Sequence, residues 1–307
     1  MKISCFDAHC DTLSRCAAAG EELRKNAGAV DLERGKELGR YAQFFAMFHD
    51  AGKAPEDGML AQCRRLHDFY RAEVQKNSDL VCHCRTGTEI DSAVSGGRIA
   101  ALLSVEGADL LECDIGNLDM ASDWGVRLMN PVWNRANVLS GSNKEEPDRG
   151  LSSAGRDFIR AMEDHQIYVD VSHISDTGFW DIMKITNCPV VASHSDSRAV
   201  WGHPRNLTDD MFRALRDTGG VAGINVYTDF IGAKGTMDEL VAHIEHFLNL
   251  NGEKSICLGG DMDGCESLAG GIRGIEDVPR IYETLQKRGY PDDLLKDLLW
   301  NNLRRLF

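Results

Sequence analysis

Eight residues near the start of the chain decide the fold: Cys5-Phe6-Asp7-Ala8-His9-Cys10-Asp11-Thr12. An apolar β-type run ends here in an imidazole and a carboxylate. Successive side chains of a strand point to opposite faces, so His9 and Asp11, two residues apart, are predicted to point the same way. A neutral imidazole and a carboxylate together suit a divalent cation such as zinc. The H-x-D pattern is also common at polar strand ends, so a metal site needs support from the rest of the chain.

Apolar β-type runs recur along the chain, with helix-like segments between them. The eight runs cover residues 3–8, 42–49, 99–105, 126–132, 167–173, 189–194, 220–226 and 255–261. Several are almost continuously apolar, as expected for parallel strands covered on both faces. This alternation predicts an α/β fold, a (β/α)8 TIM barrel. No linker or repeat divides the chain, so we predict one domain over residues 1–307, with longer connections near 12–41 and 49–98.

Helix signals lie between the apolar runs. Thr236 and Glu239 have the spacing of a capping box, and apolar residues at helical spacing follow them. Gly252 is a stop signal for this helix. On the same segment, His243 and His246 are expected on or beside the exposed side.

Length and composition exclude several classes of protein. A chain of 307 residues suffices for one barrel. The net charge of −14 argues against nucleic acid and against an anionic membrane surface. No run approaches the ~18 apolar residues of a membrane span, and the N-terminal residues do not form a signal peptide. We therefore expect a cytoplasmic protein without membrane partners, whose ten cysteines are reduced thiols.

Residues of the metal-binding type stand where five of the eight runs end, and in a β/α barrel those ends form the active site. They are His9 and Asp11 after the first run, Glu106 after the third, His173 after the fifth, His194 after the sixth and Asp261 after the eighth. Each has an ordinary alternative, such as a hydrogen-bonded rim histidine or a helix-capping glutamate. Their common position favours metals, and the set suffices for two metals that share a bridging carboxylate.

The motifs around these residues resemble a known family. They are H-x-D in the first run, E-G after the third, V-D-V-S-H in the fifth, S-H-S in the sixth followed by H-P-R-N, and G-G-D-x-D-G in the eighth. In this order they resemble the renal, or membrane, dipeptidases of the amidohydrolase superfamily, and the likeness runs almost end to end. The resemblance implies a distorted (β/α)8 barrel and a binuclear zinc metalloprotease that hydrolyses dipeptides, in a soluble, bacterial-type form. It leaves a homodimer open.

The resemblance also implies two zinc ions per chain and a set of ligands for each of them. His9 and Asp11 would bind the first zinc, and His173 and His194 the second. Glu106 would bridge the two.

Catalytic and substrate-binding residues are implied in the same way. Asp261 would serve as general base on a metal-bridging hydroxide and then as proton donor to the leaving amine. Arg205 would bind the free C-terminal carboxylate of the substrate, although a salt bridge on the side of the next helix is its ordinary alternative. Trp133 stands where family members often carry a histidine, and it can donate one hydrogen bond but cannot titrate. Asn225 and Tyr227, just beyond the seventh run, are candidates for substrate contact.

The expected function is therefore a zinc-dependent dipeptidase for dipeptides with a free C-terminal carboxylate, tolerating a D-residue at that end. One alternative is another amidohydrolase, such as a deacylase of N-acyl amino acids, because fold and metals do not fix the leaving group. The other is a non-catalytic protein that retains metal and binds peptides, an alternative motivated by Trp133.

Overall fold

Nine strands form a single sheet in the structure, a computed structural model that describes residues 2–307. They are β1 (Ile3–Cys10), β2 (Gly39–Phe48), β3 (Val81–His83), β4 (Ile99–Glu106), β5 (Val126–Asn130), β6 (Tyr168–Val169), β7 (Val191–Ala192), β8 (Val221–Ile224) and β9 (Ile256–Leu258). Eight of them coincide with the eight predicted runs. The ninth, β3, pairs with β4 outside the main path.

The other eight strands form a nearly closed barrel. All their pairings are parallel, in the order β6-β5-β4-β2-β1-β9-β8-β7. The remaining gap is bridged between Asp170 and Val191, where the Val171 N–H donates to the Val191 carbonyl over 2.8 Å. The predicted TIM-barrel fold is confirmed.

Helices connect consecutive strands, as a parallel sheet requires. They are α1 (Thr12–Ala19), α2 (Leu32–Lys36), α3 (Met59–Lys76), α4 (Gly87–Ser95), α5 (Leu118–Asp123), α6 (Ser153–Asp164), α7 (Asp176–Ile185), α8 (Asp209–Asp217), α9 (Thr228–Ile231) and α10 (Met237–Asn249). Three further helices follow β9: α11 (Pro279–Lys287), α12 (Asp292–Lys296) and α13 (Asn302–Arg304). The capping box predicted at Thr236 begins α10, with both of its hydrogen bonds present. The connections at 12–41 and 49–98 contain α1 and α2, and α3, β3 and α4.

The barrel interior is apolar at the end opposite the carboxyl ends of the strands. Phe6 stacks on Phe44 with ring centroids 5.8 Å apart, and Trp300 packs on Phe6 at the same distance. Leu303 and Leu306 belong to the same buried cluster. The C-terminal segment thus fills one end of the barrel and leaves the carboxyl ends of the strands as the accessible mouth.

One expectation about α10 was wrong. His243 is fully buried, its Nδ1 accepting from the Ser197 N–H over 3.0 Å and its Nε2 lying 2.8 Å from the Ile231 carbonyl oxygen. It lies on the helix face that covers the segment after β7. Of the two histidines, only His246 is partly exposed. Amphipathic spacing could not distinguish a buried histidine from a surface one, because both its ring nitrogens find partners in the loops beneath the helix. Among residues 2–307, no helix is both long and apolar enough to cross a membrane.

Candidate metal centre at the mouth of the barrel

An irregularity in β1 turns the His9 side chain towards the mouth of the barrel. Phe6 and Ala8 belong to the barrel interior, whereas Cys10 packs in the outer core, so simple alternation fails after Ala8. The pairing with β2 shifts register between Asp7 and Cys10, as in a β-bulge, which re-aims the side chain that follows. The Asp7 carboxylate holds this conformation by accepting from the His9 N–H over 3.2 Å.

The predicted ligands converge at this mouth. His9 Nε2 lies 3.4 Å from Asp11 Oδ2 and 3.6 Å from Glu106 Oε2. On the other side, Glu106 Oε1 lies 2.9 Å from His173 Nε2 and 3.7 Å from His194 Nε2. All five side chains are buried. The two oxygens of one carboxylate therefore face two different sets of ligands.

Asp261 stands beside this cluster. Its Oδ1 lies 3.9 Å from His9 Nε2, and its Oδ2 accepts from Asn225 Nδ2 over 3.0 Å. Asn225 is fully buried behind Asp261 and does not line the cavity. Gly264 makes this crowding possible, because a Cβ there would approach Asp261 Oδ1 to 2.5 Å and Asp11 Oδ2 more closely still.

The chemistry of the donor set fits a cation. His173 Nδ1 lies 3.0 Å from the Asn134 amide oxygen, an acceptor, so Nδ1 carries the proton and Nε2 offers a lone pair to the cluster. His173 Nε2 lies 2.9 Å from His194 Nε2. Buried atoms without a hydrogen-bond partner include His9 Nε2 and Asp11 Oδ1. Lone pairs that converge in a buried site need positive charge between them, and the residues present fit a metal site of the His and carboxylate type.

Burial perturbs the acids and the imidazoles in opposite directions. Burial, and after it the charge of Asp11, raises the pKa of Glu106 to about 8. Burial also raises the pKa of Asp261 to about 6, although the nearby His9 acts to lower it. The pKa values of His173 and His194 lie well below the usual value because both rings are buried near positive groups. Burial acts to lower the pKa of His9 too, but the neighbouring Glu106 and Asp11 outweigh it and raise the pKa of His9 well above the usual value. At His173 and His194 the protein favours the neutral imidazole, the form in which histidine binds metal.

Hydrogen bonds from neighbouring elements hold the ligands. Asp170 Oδ1 accepts from the backbone N–H groups of Ser172 and Ser193, which directly precede the two histidines. The Ser193 hydroxyl lies 2.6 Å from His194 Nδ1. Asn134 and Ser193 were not among the predicted site residues, and their only signal in the sequence is that each is adjacent to one of them.

The turns that carry the site are conformationally strained. His173, Asp261 and Asp263 have φ values of 75°, 52° and 67°, in the left-handed region that non-glycine residues rarely adopt. The Asp263 carboxylate accepts from Thr12 Oγ1 over 2.6 Å and from the Ala29 N–H over 2.7 Å. Such strain persists only where the surroundings enforce the conformation, and it is concentrated at functional sites.

A cavity of about 830 Å³ opens over the cluster. Arg205 lines it and is buried; its Nη2 lies 3.2 Å from His173 Nε2, while its Nε and Nη1 are buried without partners. Trp133 also lines the cavity, with its ring centroid 6.2 Å from that of His173. Tyr227 also lines the cavity, and its hydroxyl donates to Asp229 Oδ2 over 2.9 Å.

A parallel barrel with histidines and carboxylates gathered at the carboxyl ends of its strands belongs to the class of metal-dependent hydrolase barrels. Comparison with known families sharpens this class. The model of the membrane dipeptidase family, peptidase family M19, matches residues 1–307. The chain belongs to this family, which confirms the resemblance drawn from the sequence and the prediction of a metallo-dipeptidase.

Individual relatives match the chain over about two thirds of its length or more. A protein of Klebsiella pneumoniae encoded in the pqqA 5′ region is 34% identical over 235 residues, covering 73% of this chain and 86% of the relative. An uncharacterised dipeptidase of Schizosaccharomyces pombe is 31% identical over 215 residues, covering 68% of this chain and 53% of the relative.

Solved structures share the fold over the full chain. A metallo peptidase from Rhodobacter sphaeroides, liganded with a phosphinate mimic of the dipeptide L-Ala-D-Ala, superposes with a TM-score of 0.91 at 24% identity, covering 100% of this chain and 99% of that one. A dipeptidase described as a metallo peptidase of family M19 superposes with a TM-score of 0.90 at 26% identity, covering 100% and 98%.

Proposed function

We propose that this metallo-dipeptidase uses two zinc ions to hydrolyse dipeptides with a free C-terminal carboxylate, and that it tolerates a D-residue at that end. The observation that carries the proposal is the position of Glu106, whose two oxygens face His9 and Asp11 on one side and His173 and His194 on the other. That arrangement supports a bridging carboxylate between two metal sites.

The two metal sites would take their ligands from different strands. His9 and Asp11 would hold one zinc and His173 and His194 the other, with Glu106 shared. When bound, such a pair of ions lowers the pKa of a water molecule and polarises the scissile carbonyl.

Asp261 is proposed to move the proton. Asn225 fixes Asp261 Oδ2 through a hydrogen bond of 3.0 Å, so Oδ1 is left to face the cluster. A carboxylate held in this way accepts a proton from the attacking water and returns it to the leaving amine. Asn225 would therefore act as a positioning residue for Asp261.

Arg205 is proposed to bind the C-terminal carboxylate of the substrate. Its buried Nε and Nη1 groups have no partner within residues 2–307, and a desolvated guanidinium binds a carboxylate strongly. We expect Arg205→Ala to raise KM strongly for dipeptides with a free carboxylate and to leave C-terminally amidated dipeptides unaffected. An equal loss with both kinds of substrate would contradict the clamp.

A panel of substrates tests the function as a whole. Purified protein would be assayed with L-L and L-D dipeptides beside N-acetylated amino acids, and its zinc content measured. Hydrolysis of dipeptides with about two zinc per chain supports the proposal. Preferential hydrolysis of N-acetylated amino acids would favour the deacylase, and tight binding without turnover would favour the peptide-binding protein.

Metal removal provides a second test. Chelation should abolish hydrolysis, and addition of zinc should restore it at about two equivalents per chain. The homodimer and the cytoplasmic location stay predictions, and light scattering on the purified protein tests the first of them.

A further inference from the structure

Two aromatic side chains form one wall of the active-site cavity. Phe48, the last residue of β2, and Trp133, after β5, have ring centroids 4.7 Å apart at an interplanar angle of 54°. Both are half-buried and line the cavity. We call this pair the aromatic shelf. Gly107 lies beside it in a backbone conformation that favours glycine, with a φ of 93°.

Two polar neighbours of the shelf, Asp50 and His49, have protein partners. Asp50 pairs with Arg135 over 3.1 Å, and His49 Nε2 lies 2.9 Å from the Lys53 carbonyl oxygen. The shelf presents ring surface to the cavity, which suits an apolar ligand group.

The barrel order places Phe48 opposite the proposed carboxylate clamp, and Trp133, which follows β5, at two strand positions from each. Arg205 follows β7, and in the eight-strand order β2 is the strand four positions away from β7 in either direction. Trp133 extends the shelf from β5 towards Phe48, with its ring 6.2 Å from His173. His173 lies near both Arg205 and Trp133, since its Nε2 is 3.2 Å from Arg205 Nη2. Phe48 is the register partner of Glu106 in the sheet.

A dipeptide has two Cα atoms about 3.8 Å apart. If its C-terminal carboxylate binds Arg205, its peptide carbonyl lies over the metal ligands and its first residue extends away from β7. We infer that the side chain of this first residue packs on the aromatic shelf, so that the enzyme prefers dipeptides with a large aliphatic or aromatic N-terminal residue. This inference rests on the proposed function and adds the substrate class to it.

Two matched series of dipeptides test the inference. The first series varies the N-terminal residue (Gly-Ala, Leu-Ala, Phe-Ala), and the second varies the C-terminal residue (Ala-Gly, Ala-Leu, Ala-Phe). For the wild-type enzyme we expect kcat/KM to rise about tenfold or more from Gly-Ala to Phe-Ala, the scale at which an apolar pocket discriminates side chains. The gain should lie mainly in KM, because the shelf contacts the substrate away from the scissile bond.

Variants identify the shelf as the cause. Trp133→Ala and Phe48→Ala should each flatten the first series and leave the slope of the second unchanged, while Trp133→Phe should retain most of the preference. Trp180→Ala is the matched control, because Trp180 is an exposed tryptophan of α7 that does not line the cavity. Zinc content and circular dichroism show whether each variant remains folded and loaded.

The outcomes separate this inference from the proposed function. A wild-type enzyme that cleaves dipeptides without any slope in the first series overturns the inference alone, as does a Trp133→Ala variant that keeps the full slope. A change confined to the second series would assign the shelf to the C-terminal residue and also overturns it. A wild-type protein that cleaves no dipeptide overturns the proposed function and the inference together.

Discussion

Asp170 links the two turns that carry His173 and His194, and its removal makes a quantitative prediction. The side chain is 1% exposed, and its Oδ1 accepts from the Ser172 N–H over 2.9 Å and from the Ser193 N–H over 3.0 Å. Each donor directly precedes one of the two histidines. One carboxylate oxygen therefore fixes the relative position of both.

Substitution by alanine removes both hydrogen bonds and leaves two buried N–H groups without an acceptor. Losing hydrogen bonds to a charged group, with buried donors left unsatisfied, should cost about 4 kcal/mol. For a chain of 307 residues this corresponds to a fall in Tm of about 6 °C. Zinc affinity should fall about 10- to 100-fold, because both imidazoles lose their fixed position. Asp170→Asn keeps an acceptor oxygen at the same place and should lose far less of both.

Thermal unfolding in the presence of a chelator measures the first effect, and competition with a metal indicator dye measures the second. Asp170→Asn serves as the matched control for the shape of the side chain. If Asp170→Ala unfolds within about 1 kcal/mol of the wild type, the hydrogen bonds do not hold the turns. If Asp170→Asn is as damaging as Asp170→Ala, the negative charge matters rather than the acceptor, and the reasoning fails.

Two further perturbations have defined outcomes. Gly264→Ala should reduce zinc binding and activity, because its Cβ would press on Asp261, whereas Gly202→Ala, whose Cβ would meet no atom within 4 Å, should change neither; metal analysis and kcat separate them. Burial, and after it the charge of Arg85, lowers the pKa of His83 to about 4. Because the unfolded chain, with a histidine pKa near 6.5, then binds more protons than the folded chain below pH 6.5, stability present above pH 6.5 should be lost as the pH falls to 4, by on the order of 3 kcal/mol. Urea unfolding of wild type and His83→Gln across this range measures the difference, and equal pH slopes would contradict it.

The periodic features of the sequence were sufficient to predict the fold. Eight apolar runs separated by helix signals correspond to the eight barrel strands, because parallel strands covered on both faces need continuous apolar sequence. The capping box at Thr236 also predicted the start of α10 correctly. Both are local properties, decided within about a dozen residues of chain.

Candidate ligands were also visible in the sequence, since each stands where an apolar run ends and a barrel gathers those ends at one mouth. The sequence therefore predicted one site at this mouth that contains His9, Asp11, Glu106, His173 and His194. Their proposed roles as zinc ligands stay a prediction until metal is measured.

Other features depended on contacts between distant segments. The direction of the His9 side chain results from a register shift in the pairing of β1 with β2, which the alternation of residues in β1 alone cannot show. His243 is buried because the segment after β7 passes beneath α10, and Asn225 lies behind Asp261. The strand β3 forms only because β4 offers it a free edge.

The opening stretch Cys5–Thr12 shows the same division. By itself it determined a buried strand that ends in an imidazole and a carboxylate. Only the tertiary structure decided that the two side chains face Glu106 at the barrel mouth, because that depends on pairing with two strands that follow more than thirty and more than two hundred residues later in the chain. Local sequence fixes which residues can form a strand, and the packing of remote strands fixes where their side chains point.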